Sequence, residues 1–276
     1  SRAIQLELPL FATAGSVPQN SEMTLIDKSV KPQPFVGNLV FPIPFYPKTA
    51  VKSQKIMLHQ STELRFVNSE IGYGLFATEI IPKGTIISFN DPLDVEVKPE
   101  MFASLNVEFK AIIEHFAYVN LEGYSVISWD NDKYMNHSCD FNTIGTGYML
   151  CIAVRDIAEG EEITTDYGLL DVDYDDLLDG GYKRGMLCKC GSHNCRKEIK
   201  AANKACLHLW ISPMNEALNC VLNVKQPLLD FMDSKRKNNL IKSLQSNHDF
   251  SQSLLNWMEQ REANFRKKWA KVLAEM

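Results

Sequence analysis

Tyr134-Met135-Asn136-His137-Ser138-Cys139 runs directly into Asp140-Phe141-Asn142. An amide, an imidazole, a hydroxyl and a thiol stand on consecutive residues, and the acidic and amide residues that follow favour a turn over a core strand. Two other stretches depend on this one. Glu162-Ile163-Thr164-Thr165-Asp166-Tyr167-Gly168 is a short apolar strand that ends in an acidic, phenolic turn. Cys188-Lys189-Cys190-Gly191-Ser192-His193-Asn194-Cys195 sets three thiols at metal-ligand spacing.

A Cys-x-Cys pair followed by a further Cys, with Gly191 allowing a tight turn, brings soft ligands within reach of one ion. A closed structural zinc site takes four ligands, so one must come from elsewhere in the chain. Cys139 is the best candidate because it lies in a turn. Cys188, Cys190, Cys195 and Cys139 are therefore the expected metal ligands, and His193 is read as an exposed loop residue. Cys151, Cys206 and Cys220 lie among apolar residues and read as plain core thiols.

The chain of 276 residues has material for one large domain or two modest ones, at 45% hydrophobic and 23% charged residues. Its net charge of −5 gives no general attraction to nucleic acid or to an anionic membrane and suits a cationic partner. Seven cysteines, clustered as above, point to a metal site in a reducing compartment, hence to an intracellular protein. No apolar run approaches the ~18 residues that a membrane span needs. The first residue is Ser1 rather than Met and the last helical pattern stops at Met276, so a longer natural chain is expected.

Residues 1–62 read as an extended arm, since Pro32, Pro34, Pro42, Pro44 and Pro47 forbid a helix. From Glu63 short strands alternate with turns: Leu64 to Val67, Tyr73 to Thr78, Thr85 to Phe89, Tyr124 to Ser128, Met149 to Val154 and Glu162 to Thr165. Between them, residues 99–118 read as a helix, with Phe102, Leu105, Phe109, Ile112, Ile113 and Phe116 near a 3.6 period. Residues 198–276 read as three or four helices. In the last of them Leu254, Leu255, Met258, Phe265, Trp269, Val272 and Leu273 form the apolar face, with Glu259, Arg261, Arg266, Lys267 and Lys271 largely between them. Gly72-Tyr73-Gly74 lets backbone approach a ligand closely. A dinucleotide fold would need a third glycine and a following helix, and here a strand and Pro82 follow.

Together these stretches resemble the SET-domain protein lysine methyltransferases. Gly72 to Ala77 is similar to the first motif of that family, Asn136-His137-Ser138-Cys139 matches its central motif, and Glu162 to Gly168 is similar to its Asp-Tyr-Gly motif. Cys188 to Cys195, with Arg196 after it, is similar to the post-SET tail, whose zinc the cysteine of the central motif completes. The resemblance spans residues 63–197. It implies a mainly β SET fold of small curled sheets with a pseudoknot, flanked here by the N-terminal arm and a helical C-terminal appendage. It also implies S-adenosylmethionine held by Tyr73, Gly74, Asn136 and His137, a structural zinc, and Tyr167 as the catalytic residue. His137 is expected to use its backbone toward the adenine, and Asp166 to be a structural hydrogen-bond acceptor.

On this reading the chain divides into the arm, a SET domain at 63–170, an acidic insert and post-SET segment at 171–197, and the helical region. The insert carries Asp171, Asp173, Asp175, Asp176 and Asp179, either a solvated loop or a rim attracting a basic tail. Thr165 stands where the family usually has Phe or Tyr, which leaves room for a methylated amine and implies products beyond monomethylation unless a tyrosine such as Tyr124 fills the gap. The expected partner is a protein with a basic, lysine-containing tail, a histone first, with nucleic acid met only through nucleosomes and a nuclear location following from that. Three alternatives stay open: a non-histone substrate, a catalytically degenerate SET module binding a partner protein through its C-terminal helices, and a eukaryote-like bacterial effector.

Overall fold

A computed structural model describes residues 57–173, 186–201, 204–246 and 250–274; most of the expected arm and the acidic residues Asp175, Asp176 and Asp179 lie outside them. In chain order the elements are β1 (Thr62–Asn68), β2 (Gly72–Ala77), β3 (Ile86–Phe89), β4 (Val95–Val97), α1 (Pro99–Ser104), α2 (Val107–Phe116), β5 (Tyr118–Val119) and β6 (Ser125–Ile127). Next come β7 (Asn136–His137), β8 (Thr143–Gly145), β9 (Leu150–Ala153), β10 (Glu162–Thr165) and the single turn α3 (Tyr167–Leu170). The chain closes with β11 (Met186–Leu187), β12 (Glu198–Ile199), α4 (Leu207–Cys220), α5 (Ser234–Gln245) and α6 (Phe250–Ala274). The strands form small sheets in the orders β1-β2-β10-β7, β3-β9-β8, β4-β6-β5 and β11-β12. Small sheets through the middle of the chain, followed by C-terminal helices, are the architecture expected from the strand and helix patterns.

One pairing places the site. β7 and β10 lie side by side in parallel, with Thr164 opposite Asn136 and Thr165 opposite His137. Ser138 N–H bonds the Thr165 carbonyl across the pair at 3.0 Å, and Asn142 braces β10: its side chain accepts from Thr164 N–H at 2.9 Å and donates to the Glu162 carbonyl at 2.8 Å. On its other edge β10 pairs with β2 through Glu162–Phe76 and Ile163–Leu75, so the three conspicuous motifs share one sheet.

The single helix expected over 99–118 is two helices. Leu105 is extended at the end of α1, and the Asn106 side chain accepts from Phe109 N–H at 3.0 Å to start α2 afresh, as an amide at the N-cap does. The break rotates Phe109 and Ile112 outward, so that both are exposed, while Phe102 and Ile113 stay in the core.

The C-terminal helices share a core with the sheets. Ile86, Ile144 and Ile152 from β3, β8 and β9 pack in one cluster with Trp210, Met214 and Leu218 of α4 and Leu254 and Met258 of α6. A second cluster joins Phe265, Trp269 and Leu273 of α6 to Val97, Phe102 and Val119. Arg261 corrects the pattern expected for α6. It lies on the buried stripe, fully enclosed, because its guanidinium meets the carbonyls of Leu169 and Asp171 at 2.8 Å each and sits 4.2 Å over the Trp257 ring.

The β5–β6 turn is pressed against α6. Gly123 has φ +79°, and a Cβ there would stand 2.3 Å from Phe265 N. Gly123→Ala is therefore expected to lower stability by about 3 kcal/mol, combining left-handed strain with a backbone clash, as read from urea unfolding. The 3-10 turn that leads into β7 carries a second test. Asp132 is pushed up to about 7, first by burial and then by the charge of Asp130. The folded protein thus holds a proton that the unfolded chain releases above its ordinary carboxylate range, so this contribution to stability is present at acid pH and is lost as pH rises toward 7. Asp132→Asn should add about 2 kcal/mol at pH 8 and leave stability near pH 4 almost unchanged.

Candidate active site and thiol cluster

Gly74 is closely covered by the side chains that face it. A Cβ there would lie 2.4 Å from Glu162 Oε1 and 2.8 Å from Asn136 Nδ2. The Asn136 amide spends both its protons locally, donating to the Tyr73 carbonyl at 3.1 Å and to Glu162 Oε1 at 2.7 Å. Tyr73, Gly74 and Asn136 therefore meet at one edge of the sheet, with the Tyr73 ring exposed. Glu162 completes the group. Sequence reading placed it only as a strand residue, and a carboxylate opening an apolar strand beside the glycine motif gave no signal of that contact.

Tyr167 begins α3. Its hydroxyl donates to the Met135 carbonyl at 3.0 Å and its N–H donates to His137 Nδ1 at 3.2 Å. Burial, and secondarily the Glu162 charge, pushes the phenol up to about 12. It stays protonated at neutral pH, so it acts as a fixed dipole and not as a base.

His137 turns its ring inward beside Tyr167, with ring centroids 5.5 Å apart. Burial outweighs the nearby Asp166 carboxylate and pushes the imidazole down to about 4, so it is neutral. An imidazole whose Nδ1 accepts a hydrogen bond carries its proton on Nε2, and Nε2 faces Cys139 Sγ at 3.4 Å.

Asp166 is the hub beneath Tyr167. Its carboxylate, almost fully enclosed, accepts from Arg196 Nη2 at 2.5 Å, from Trp210 Nε1 at 2.7 Å and from Gly168 N–H at 3.0 Å. Arg196 reaches on to the thiols, with its backbone N–H 3.3 Å and its Nε 3.4 Å from Cys139 Sγ. Trp210 lies in a helix far along the chain, and nothing in the sequence tied it to Asp166.

Cys139 Sγ stands 3.7 Å from Cys188 Sγ. Thiolates bound at ~2.3 Å around a tetrahedral ion lie about 3.8 Å apart, so this pair already has the spacing of two zinc ligands. The donor atoms of His137, Cys139, Cys188 and Cys190 all lie within 4.8 Å of one another. Cys195 is adjacent, its Sγ 3.9 Å from the Cys188 carbonyl. The Cys190 thiol is pulled down to about 6: burial opposes this, but the N–H of Cys139 and the Ser192 groups outweigh it. Burial, by contrast, drives the Cys188 thiol well above its usual range. A bound cation would reverse that preference. All seven cysteines are reduced, and the soft donor set fits zinc.

The sequence profile of the SET domain matches residues 72–168. A Caenorhabditis briggsae protein named probable histone-lysine N-methyltransferase set-23 is 29% identical over 150 residues, which are 49% of this chain and 58% of that protein. The chain thus spans a little over half the length of that curated relative. Among solved structures, the methyltransferase domain of human histone-lysine N-methyltransferase SETMAR aligns with a TM-score of 0.37 and 18% identity, covering 52% of this chain and 59% of that one. KRYPTONITE in complex with mCHG DNA and SAH aligns with a TM-score of 0.36 and 20% identity, covering 51% and 29%. With its glycine motif, its Asn136-His137 strand and its Tyr167 turn gathered on one sheet, the stretch from 72 to 168 is a SET domain.

Proposed function

We propose that this chain is a protein lysine N-methyltransferase that takes its methyl group from S-adenosylmethionine, with a histone tail as the first substrate to test. The observation that carries the reading is the protonated Tyr167 phenol, fixed on the Met135 carbonyl beside the Asn136-His137 strand. Bound S-adenosylmethionine supplies an electrophilic methyl on a sulfonium. Tyr73, Gly74, Asn136 and His137 are the residues that would hold it, gathered where the Asn136 amide meets the Tyr73 carbonyl beside Gly74.

Methyl transfer to an amine is an in-line displacement, so alignment and removal of water from the amine carry most of the acceleration. Lysine is ordinarily protonated up to ~10.4, and an apolar channel favours its neutral, nucleophilic form. Tyr167 gives no proton. Its hydroxyl hydrogen is held by Met135, which leaves the oxygen lone pairs to orient the reacting groups.

The negative net charge and the described acidic residues Asp171 and Asp173 suit a basic tail, and the relative's name agrees with a histone. A histone substrate would place the protein in the nucleus. Thr165 is buried opposite His137, where a small side chain supports products beyond monomethylation. Incubation with S-adenosylmethionine and core histones or nucleosomes, followed by peptide mapping, is expected to show lysines carrying more than one methyl group. Tyr167→Phe should reduce the rate about a hundred-fold or more, and Thr165→Phe should shift the product toward monomethyl-lysine. A wild-type protein that binds the donor and transfers nothing to any protein would favour the degenerate-module reading.

For the metal, Cys139, Cys188, Cys190 and Cys195 are the proposed ligands, with His137 donating its Nε2–H to the Cys139 sulfur. Elemental analysis should find about one zinc per chain. Cys195→Ser should lose it and His137→Gln should keep it; the reverse pattern would make His137 the fourth ligand.

A further inference from the structure

The turn that carries Tyr167 cannot hold itself. α3 has only four residues, Tyr167–Leu170, so it leaves most of its carbonyls without partners inside the helix. What it lacks is supplied by Asp166 and by residues beyond 168. At its start the Asp166 carboxylate caps Gly168 N–H and is itself held by Trp210 Nε1 of α4 at 2.7 Å. At its end Arg261 of α6 donates to the carbonyls of Leu169 and Asp171, each at 2.8 Å.

Arg261 is not explained by packing alone. It is fully enclosed, and burial pulls its guanidinium down to about 10. A leucine at this position of the stripe would complete the core without the cost of burying a cation. The guanidinium does what no apolar side chain can, which is to reach two carbonyls at once from one planar fork. It also sets a cation at the C-terminal end of α3, where a helix favours one.

The same helix grips the neighbouring hairpin. Asn264, Lys268 and Trp269 donate to the carbonyls of Leu121, Glu122 and Gly123 at 2.9, 2.6 and 2.9 Å, so α6 fixes the β5–β6 turn and the Tyr167 turn from a single rigid rod.

We propose that Trp210 and Arg261 are positioning residues for Tyr167, and that the C-terminal helices are thereby part of the catalytic apparatus of the SET domain and not a separable docking module. This rests on the methyltransferase reading for its kinetic consequence, but not for its structural one.

The test compares Arg261→Lys, Arg261→Met and Trp210→Phe with Asn264→Ala in the full chain, by amide hydrogen exchange and by methyl-transfer kinetics. Lysine keeps the charge but cannot span both carbonyls, and phenylalanine keeps most of the packing while removing the donor. Exchange over residues 167–172 should accelerate in these three variants and remain as in wild type over 62–77. Asn264→Ala should accelerate exchange over 120–124 instead. In the first three, kcat should fall about ten- to a hundred-fold, as small misplacements do, with KM for the peptide within about two-fold of wild type. Unchanged exchange over 167–172 in Arg261→Lys and Trp210→Phe would overturn the proposal, as would acceleration spread over all strands. Should Arg261→Met not fold, the other two variants decide. Should the wild type transfer no methyl group, the exchange pattern still decides the positioning, and only the functional reading fails.

Discussion

The Asp166 carboxylate is the constraint on which the rest of the site depends. A buried carboxylate is tolerated only when its oxygens are met by donors, and here the donors come from three separate stretches: Gly168 in its own turn, Arg196 behind the thiol loop and Trp210 in α4. Removing one partner of such a buried pair costs about 3–5 kcal/mol because the other charge is left stranded. The turn at Tyr167, the thiol loop and the C-terminal helices are therefore committed to one another through a single side chain.

The parallel pairing of β7 with β10 makes that commitment geometrically sharp. Two strands with their intervening chain folded away as β8 and β9 can pair in parallel only if the register is set by something other than a hairpin turn. Asn142 holds β10 by imitating a neighbouring strand, accepting from Thr164 N–H and donating to the Glu162 carbonyl, and Ser138 N–H ties the other strand to the Thr165 carbonyl. Register slippage by one residue would turn Thr165 away from His137 and carry Tyr167 off the Met135 carbonyl, so the phenol's placement and the strand's register are the same fact.

How far the sequence discloses this can be judged residue by residue. β10 was readable to its ends, since Ile163, Thr164 and Thr165 are β-branched and the run is bounded by turn residues. The motifs that resemble the SET family fell together in space. The break at Asn106 was hidden, because the apolar period continues through it and only the cap decides. β7 was not legible as a strand at all: two residues, Asn136 and His137, are extended only because β10 lies beside them. Arg261 is the instructive miss. Leu254, Met258, Arg261, Phe265, Trp269 and Leu273 follow the buried spacing of α6 without a gap, so periodicity placed it in the core, and its charge argued it out. Position was the better guide than polarity, because the carbonyls that receive the guanidinium lie far away in the chain.

The two outer supports of the site differ in what holds them. Between Met186 and Lys200 only Ile199 is buried among the described residues, and β11 and β12 are two residues each. Such a segment has little apolar area with which to order itself, and its contacts run instead through the Cys139 sulfur, to Cys188 and Arg196. The C-terminal helices are the opposite case, since Trp210, Met214, Leu254 and Met258 lie in a continuous apolar cluster with the sheets. Sulfur and guanidinium contacts thus hold the Cys139 side of the central motif, whereas ordinary hydrophobic packing holds the Leu169 side of the Tyr167 turn. Asp166 is where the two meet, with Arg196 on one oxygen and Trp210 on the other. Loosening the thiol loop would weaken the first contact and leave the second in place, so the turn would keep its anchor on α4.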